Sequence, residues 1–209
     1  MENPEEVPFI DIRPGYGACS TIIAEYFGEF GVPVPGDLAT ALLIGLLQDT
    51  DQLTRGVSEA DLKVFNILYP LADHKILQYS LRNFIELGDL ELFKGVIENL
   101  RAVDSVGLCY IPDGCPPPLL GILGDFLLAL EKIDFAVLFA RNGKRINVSF
   151  RNEIPGVNAA RIIGTVLAGI GSGGGHSTFA GGLIPDAEKF DKEEIFKRVL
   201  AGMSESRSA

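Results

Sequence analysis

Gly171-Ser-Gly-Gly-Gly-His-Ser-Thr-Phe-Ala-Gly-Gly182 is a glycine-rich stretch with one histidine and no charged residue. It follows Asn158 to Ile170, in which Ala159, Ile162, Ile163, Val166 and Leu167 recur at helical spacing along one apolar face. A helix therefore runs into the glycines. Gly173, Gly174 and Gly175 in succession cost backbone entropy on folding, so their use implies positive φ angles or a ligand close to the main chain. A glycine turn of that kind exposes N–H groups that can cradle an anion, and His176 adds a hydrogen bond, a charge or a stacking face. The plainer reading is a helix C-cap followed by a loop. No Lys-Ser/Thr pair follows the glycines, so this is not a nucleotide P-loop. Gly169, Gly171 and Gly174 match GxGxxG in spacing, but they close a helix where the dinucleotide fingerprint opens one.

Upstream, Phe135-Ala-Val-Leu-Phe139 and Ile146-Asn-Val-Ser-Phe150 flank Arg141-Asn-Gly-Lys144, a strong hairpin signal. The second strand delivers Arg151 directly after its apolar run. Ser105 to Ile111 reads as another strand, Pro112 to Pro118 as an irregular loop, and Leu119 to Leu130 as an apolar helix. Phe179 to Ile184 returns to the sheet, and Asp191 to Met203 forms a last amphipathic helix. Short connections bring Arg151 and the glycines to one cleft, where a planar fork of donors suits a phosphate or nucleotide. Alone, Arg151 reads as a surface hairpin arginine.

The first half has a different pattern. Pro8 to Pro14 is a short extended segment, and Gly17 to Phe30 is helical. Pro35 to Leu47 is a helix entered by Pro-Gly-Asp with Asp37 as its N-cap, apolar nearly all round and so buried. It ends in Gln48-Asp-Thr-Asp51. Carboxylates are disfavoured at a helix C-terminus, so either a divalent cation compensates or Asp49 and Asp51 are solvated turn residues. Ser58 and Asp61 have capping-box spacing ahead of a helix through Tyr69. Ala72 to Leu87 and Leu90 to Leu100 follow as a helical connector, with His74 exposed or capping. The class is α/β, α+β in places: a mainly helical lobe over 1–101 and a smaller α/β domain with a mixed sheet over 102–209.

At 47% hydrophobic and 22% charged, the 209 residues have the composition of a globular protein. The net charge of -10 disfavours long duplex nucleic acid and leaves short anionic ligands open. Cys19, Cys109 and Cys115 lack metal-type spacing and fit a reducing compartment. The acidic start Met1-Glu-Asn-Pro-Glu-Glu-Val does not read as a signal peptide, and no stretch reads as a membrane span. A cytoplasmic location without a membrane partner is expected.

Val148-Ser-Phe-Arg-Asn152, Val157-Asn-Ala-Ala-Arg-Ile-Ile163, Gly173-Gly-Gly-His and Ala180-Gly-Gly182 together resemble the C-terminal, DHH-associated domain of the DHH phosphoesterase superfamily. Gly17-Ala-Cys-Ser-Thr-Ile-Ile23 and Gly45-Leu-Leu-Gln-Asp-Thr50 resemble the part of the catalytic domain that lies after the Asp-His-His motif. The resemblance implies phosphate-ester chemistry. Similar proteins are manganese-dependent hydrolases, among them short-oligoribonucleotide exonucleases, nucleotide phosphatases, cyclic-dinucleotide phosphodiesterases and exopolyphosphatases. It assigns Asp49 to the metal, Mn2+ or Mg2+, and Arg151, Gly173, Gly174, Gly175 and His176 to the phosphate and terminal nucleotide of a short ligand.

The departure from the pattern is large: there is no Asp-His-His, no early Asp-x-Asp, and of the expected ligands only Asp49. One carboxylate cannot fix a two-metal centre, so this chain is expected to supply substrate binding and to be inactive alone. A non-catalytic nucleotide or single-stranded nucleic-acid binding module is the alternative. An editing accessory of the kind related to alanyl-tRNA synthetases fits less well with the acidic charge. Apolar surface on the first helices also leads us to expect self-association, as a homodimer.

Overall fold

A computed structural model describes residues 8–82 and 85–208 of the chain. It divides into two compact units, Met1–Glu86 and Leu87–Ala209.

The first unit is helical: α1 (Cys19–Glu29), α2 (Gly36–Asp49), α3 (Glu59–Leu68), a 3-10 turn over Tyr69–Leu71, and α4 (His74–Arg82). Helix α2 is its centre. Ala39, Leu43 and Leu46 on α2 are fully buried and pack with Val64 and Leu68 of α3 and Ala18 before α1. Pro35, not Asp37, is the N-cap of α2; Asp37 lies in the first turn, where its carboxylate accepts the Leu38 N–H and faces the positive end of the helix. The capping box at α3 forms as its spacing predicts, with Ser58 Oγ accepting the Asp61 N–H and Asp61 accepting the Ser58 N–H. His74 opens α4 on the surface, its ring 4.5 Å from that of Tyr69.

The second unit is built on a six-stranded mixed sheet of order β1-β2-β3-β4-β6-β5. Its elements in chain order are α5 (Leu90–Asn99), β1 (Arg101–Val103), β2 (Val106–Ile111), α6 (Pro117–Leu128), β3 (Phe135–Asn142), β4 (Arg145–Asn152), α7 (Ala159–Val166), β5 (Ser172–Gly175), β6 (Phe179–Ile184) and α8 (Lys192–Ser208). Only β2 and β3 pair in parallel, joined through α6; the other neighbours are antiparallel. Period-two alternation sends Val137, Phe139, Val148 and Phe150 into one core under α7 and α8. Leu138, Ala140 and Cys109 point into a second core under α5 and α6. Gly143 takes φ 66° in the tight turn between β3 and β4, as the Asn-Gly pair predicts.

One sequence expectation is overturned here. The glycine run is not a loop or a nest of positive φ angles: Ser172–Gly175 is a fully exposed strand paired with β6. Of Gly173, Gly174 and Gly175, only Gly175 has positive φ, at 152°. Glycine permits extended as readily as left-handed backbone, and the ladder along β6 selects the extended form.

Candidate functional site

Why the run must be glycine follows from what a side chain would meet on each face. A Cβ on Gly173 would sit 2.9 Å from Ile163 Cγ1, and one on Gly182 would sit 2.6 Å from Leu167 Cδ1. These two glycines let α7 press directly on the β5–β6 ribbon. Gly174 and its partner Gly181 point to the opposite face, where a Cβ on Gly174 would meet nothing within 4 Å. The alternation thus divides one run into a packing face and an open floor.

That floor continues into β4. Ser149 pairs with Gly181 and Arg151 with Phe179, so all four residues share the open face with Gly174. The Arg151 Cζ lies 5.8 Å from the centre of the Phe179 ring, and the His176 ring lies 4.8 Å from it on the other side. His176 and Phe179 are exposed, and Arg151 is partly so. The Arg151 Nε donates to Asp125 Oδ1 at 2.6 Å, and its Nη1 donates to Ser149 Oγ at 3.3 Å and the Phe150 carbonyl at 3.2 Å. The result is a shallow surface with a cation at one end, two rings across it and a bare backbone floor.

The turn carrying His176 is pinned from two sides. The His176 N–H donates to the Phe179 carbonyl at 2.7 Å, and the first amides of α7, on Ala159 and Ala160, donate to the carbonyls of Ser177 and His176. The N-terminus of α7 is therefore already capped, by these carbonyls and by Asn158 Oδ1, which accepts the Arg161 N–H at 3.0 Å. Buried Asn152 completes the anchor: its Nδ2 donates to the carbonyls of Val157 and Ser177, both at 3.0 Å, and its Oδ1 accepts the Ile154 N–H. From the His176–Phe179 bond, the ladder alternation turns the N–H groups of Gly173 and Gly175 toward the outer edge of the sheet, where they are available to an anion.

Arg151, Gly173, Gly174, Gly175 and His176 are thus brought together on one unit. Phe179, Asn152 and Asp125 belong to the same arrangement, and the sequence reading did not single them out. Their signals are faint: Asn152 ends the Val148–Asn152 motif and Phe179 lies in the glycine-rich stretch outside the motifs, whereas Asp125 is legible only once α6 is laid on β4.

Asp49 lies in the other unit, exposed as the last residue of α2. The α2 carbonyls there are capped by backbone: the Asp51 N–H donates to the Gln48 carbonyl and the Gln52 N–H to the Leu47 carbonyl, through left-handed φ angles at Asp51, Gln52 and Leu53. Among the described residues no group of three or more His, Cys, Asp or Glu side chains could hold a metal ion. One solvated carboxylate does not fit the two-metal centre that the resemblance implies. A groove of about 310 Å³ beside α5 is lined by Glu91, Glu98 and Asp113 with Lys94, a balance that repels phosphate.

Residues 104–201 match the DHHA1 domain. The match lies wholly within the second unit, which is thus similar to the C-terminal associated domain of the DHH superfamily. Two uncharacterized proteins of Methanocaldococcus jannaschii are similar to the chain: one is 30% identical over 85% of this chain and 36% of its own length, the other 27% identical over 90% and 58%. The chain thus spans between about a third and three fifths of these relatives. An exopolyphosphatase-related protein from Bacteroides fragilis shares the fold at TM-score 0.76 and 15% identity, covering 98% of this chain and 62% of that one. The matched residues include the whole Arg151 surface, and the helical unit before them lies outside the match. No helix among the described residues is long and apolar enough to cross a membrane.

Proposed function

We propose that this chain is the substrate-binding part of a DHH-type phosphoesterase and that its DHHA1 domain holds the terminal phosphate and adjoining nucleotide of a short oligonucleotide or nucleotide phosphate. One observation carries the reading: Arg151, Phe179 and His176 lie in a row on an open face, beside a glycine floor that nothing covers within the unit. Each part has a chemical counterpart in such a ligand. The guanidinium pairs with phosphate oxygens, the ring faces stack on a base, and Gly174 and Gly181 allow a planar group to approach the backbone. The shallow, short surface suits a ligand of a few nucleotides, and the acidic chain disfavours a long one.

Metal-dependent hydrolysis, with manganese as the expected ion, belongs in this reading to a complete ligand set of which Asp49 is one member. The chain alone contributes binding. Titration of the 15N-labelled chain with 5'-phosphorylated diadenylate tests this. Amide shifts concentrated at Gly173 to His176 and Phe179 are expected. Shifts elsewhere, or none at millimolar ligand, would refute the assignment.

A further inference from the structure

Helix α6 contains two interior glycines, Gly121 and Gly124, in a run from Leu119 to Leu128 that is otherwise apolar but for Asp125. Glycine is disfavoured against alanine inside a helix, so a helix that keeps two on one face needs a reason. The β4 strand supplies it. A Cβ on Gly121 would stand 2.5 Å from the Arg151 Nη2, and one on Gly124 would stand 2.9 Å from the Arg151 Cγ. The arginine side chain lies in a track made by the missing methyl groups, stem over Gly124 and tip over Gly121. At the side of that track Asp125 accepts the Nε–H.

The bonds to Asp125, Ser149 and the Phe150 carbonyl use Nε and Nη1. They hold the guanidinium in one plane while Nη2 has no hydrogen-bond partner among the described residues. A guanidinium so fixed is preorganised: less side-chain entropy is lost when its two remaining N–H groups, both on Nη2, donate to phosphate oxygens. We propose that Gly121, Gly124 and Asp125 are positioning residues that set Arg151 for the phosphoryl group of the ligand. This rests on the function proposed above and assigns phosphate selectivity in part to α6, which contributes no phosphate-binding side chain of its own.

The two glycines separate this role from a structural one. At Gly121 the obstructed atom is the free end of a flexible side chain, so Gly121→Ala moves the guanidinium and leaves the helix intact. If Gly121 mattered only to the helix, alanine would leave stability the same or higher and binding unchanged.

The test compares wild type, Gly121→Ala, Asp125→Asn and Arg151→Lys at full chain length, without added metal. Affinity is measured for diadenylate with and without its 5'-phosphate, and the Arg151 Nε–H resonance, assigned by its loss in Arg151→Lys, is followed by NMR. The expected result is a phosphate preference about tenfold weaker in Gly121→Ala and in Asp125→Asn, with a displaced or exchange-broadened Nε–H signal and an unchanged melting temperature in Gly121→Ala. Wild-type preference retained in both variants overturns the positioning role while leaving the proposed function standing. An unmoved Nε–H signal overturns it as well. Absence of any phosphate preference in wild type overturns the proposed function and this inference with it.

Discussion

Replacing Asp61 should unfasten the first unit, and the structure sets the size of the effect. The Asp61 carboxylate is fully buried and accepts the Gly17 N–H at 2.8 Å, the Ser58 N–H at 2.7 Å, the Ser58 hydroxyl at 2.6 Å and the Thr21 hydroxyl. It thereby ties the segment before α1 to the start of α3. In Asp61→Asn an amide oxygen can keep the three donors on Oδ2, so the cost is about 1–2 kcal/mol; Asp61→Ala strands several buried donors at once and costs about 3–5 kcal/mol. Burial alone would raise the Asp61 pKa, but the hydrogen bonds from Ser58, Thr21 and the Ser58 and Gly17 amides outweigh it and hold the group below its ordinary 3.8. Since the folded pKa is depressed, the stabilisation is present above the unfolded value and is lost as pH falls below about 4. Hydrogen exchange at the Leu43 and Leu46 amides of α2 reports opening of this unit. Exchange in Asp61→Ala at pH 7 within about twofold of wild type would mean that these bonds do not hold the unit closed.

The two faces of the glycine ribbon should respond differently. Gly175→Ala places a methyl group 2.4 Å from the Phe179 carbonyl and at positive φ, so thermal unfolding should show a loss of about 2 kcal/mol or more, whereas Gly174→Ala should leave stability unchanged and weaken ligand binding. Cys19 is exposed, while burial pushes the Cys109 thiol to about 12, and burial with nearby Asp89 pushes Cys115 to about 11. Mass spectrometry after brief iodoacetamide treatment at pH 8 should therefore find one alkylated cysteine, Cys19, and all three only after unfolding. With manganese and 5'-phosphorylated diadenylate the chain should show no turnover above background, the same as Asp49→Ala; turnover that Asp49→Ala abolishes would contradict the assignment of binding alone.

Much of the framework could be read from residues because local signals and burial agreed. The Asn142-Gly143 turn, the Ser58–Asp61 capping box and the apolar run of α2 each specify an element whatever the rest of the chain does. The glycine run could not be read in this way. With no side chains it carries no periodicity, and whether it is a nest or a strand depends on β6 beside it and α7 above it, both of which are tertiary facts. The same holds for the site: Arg151 and His176 stand out as residue types, but the roles of Phe179 and Asn152 come from strand register and loop closure. Gly121, Gly124 and Asp125 look like unremarkable members of a helix until β4 supplies the arginine that lies across them.

Whether Arg151 makes this surface phosphate-selective is decided by the affinity of wild type and Arg151→Ala for diadenylate with and without its 5'-phosphate. Wild type should prefer the phosphorylated form by about tenfold or more and Arg151→Ala should bind both forms equally, a loss on the scale of one charge-assisted pair of about 1.5–3 kcal/mol. Equal binding of the two forms by wild type, or an undiminished preference in Arg151→Ala, would contradict this role of Arg151.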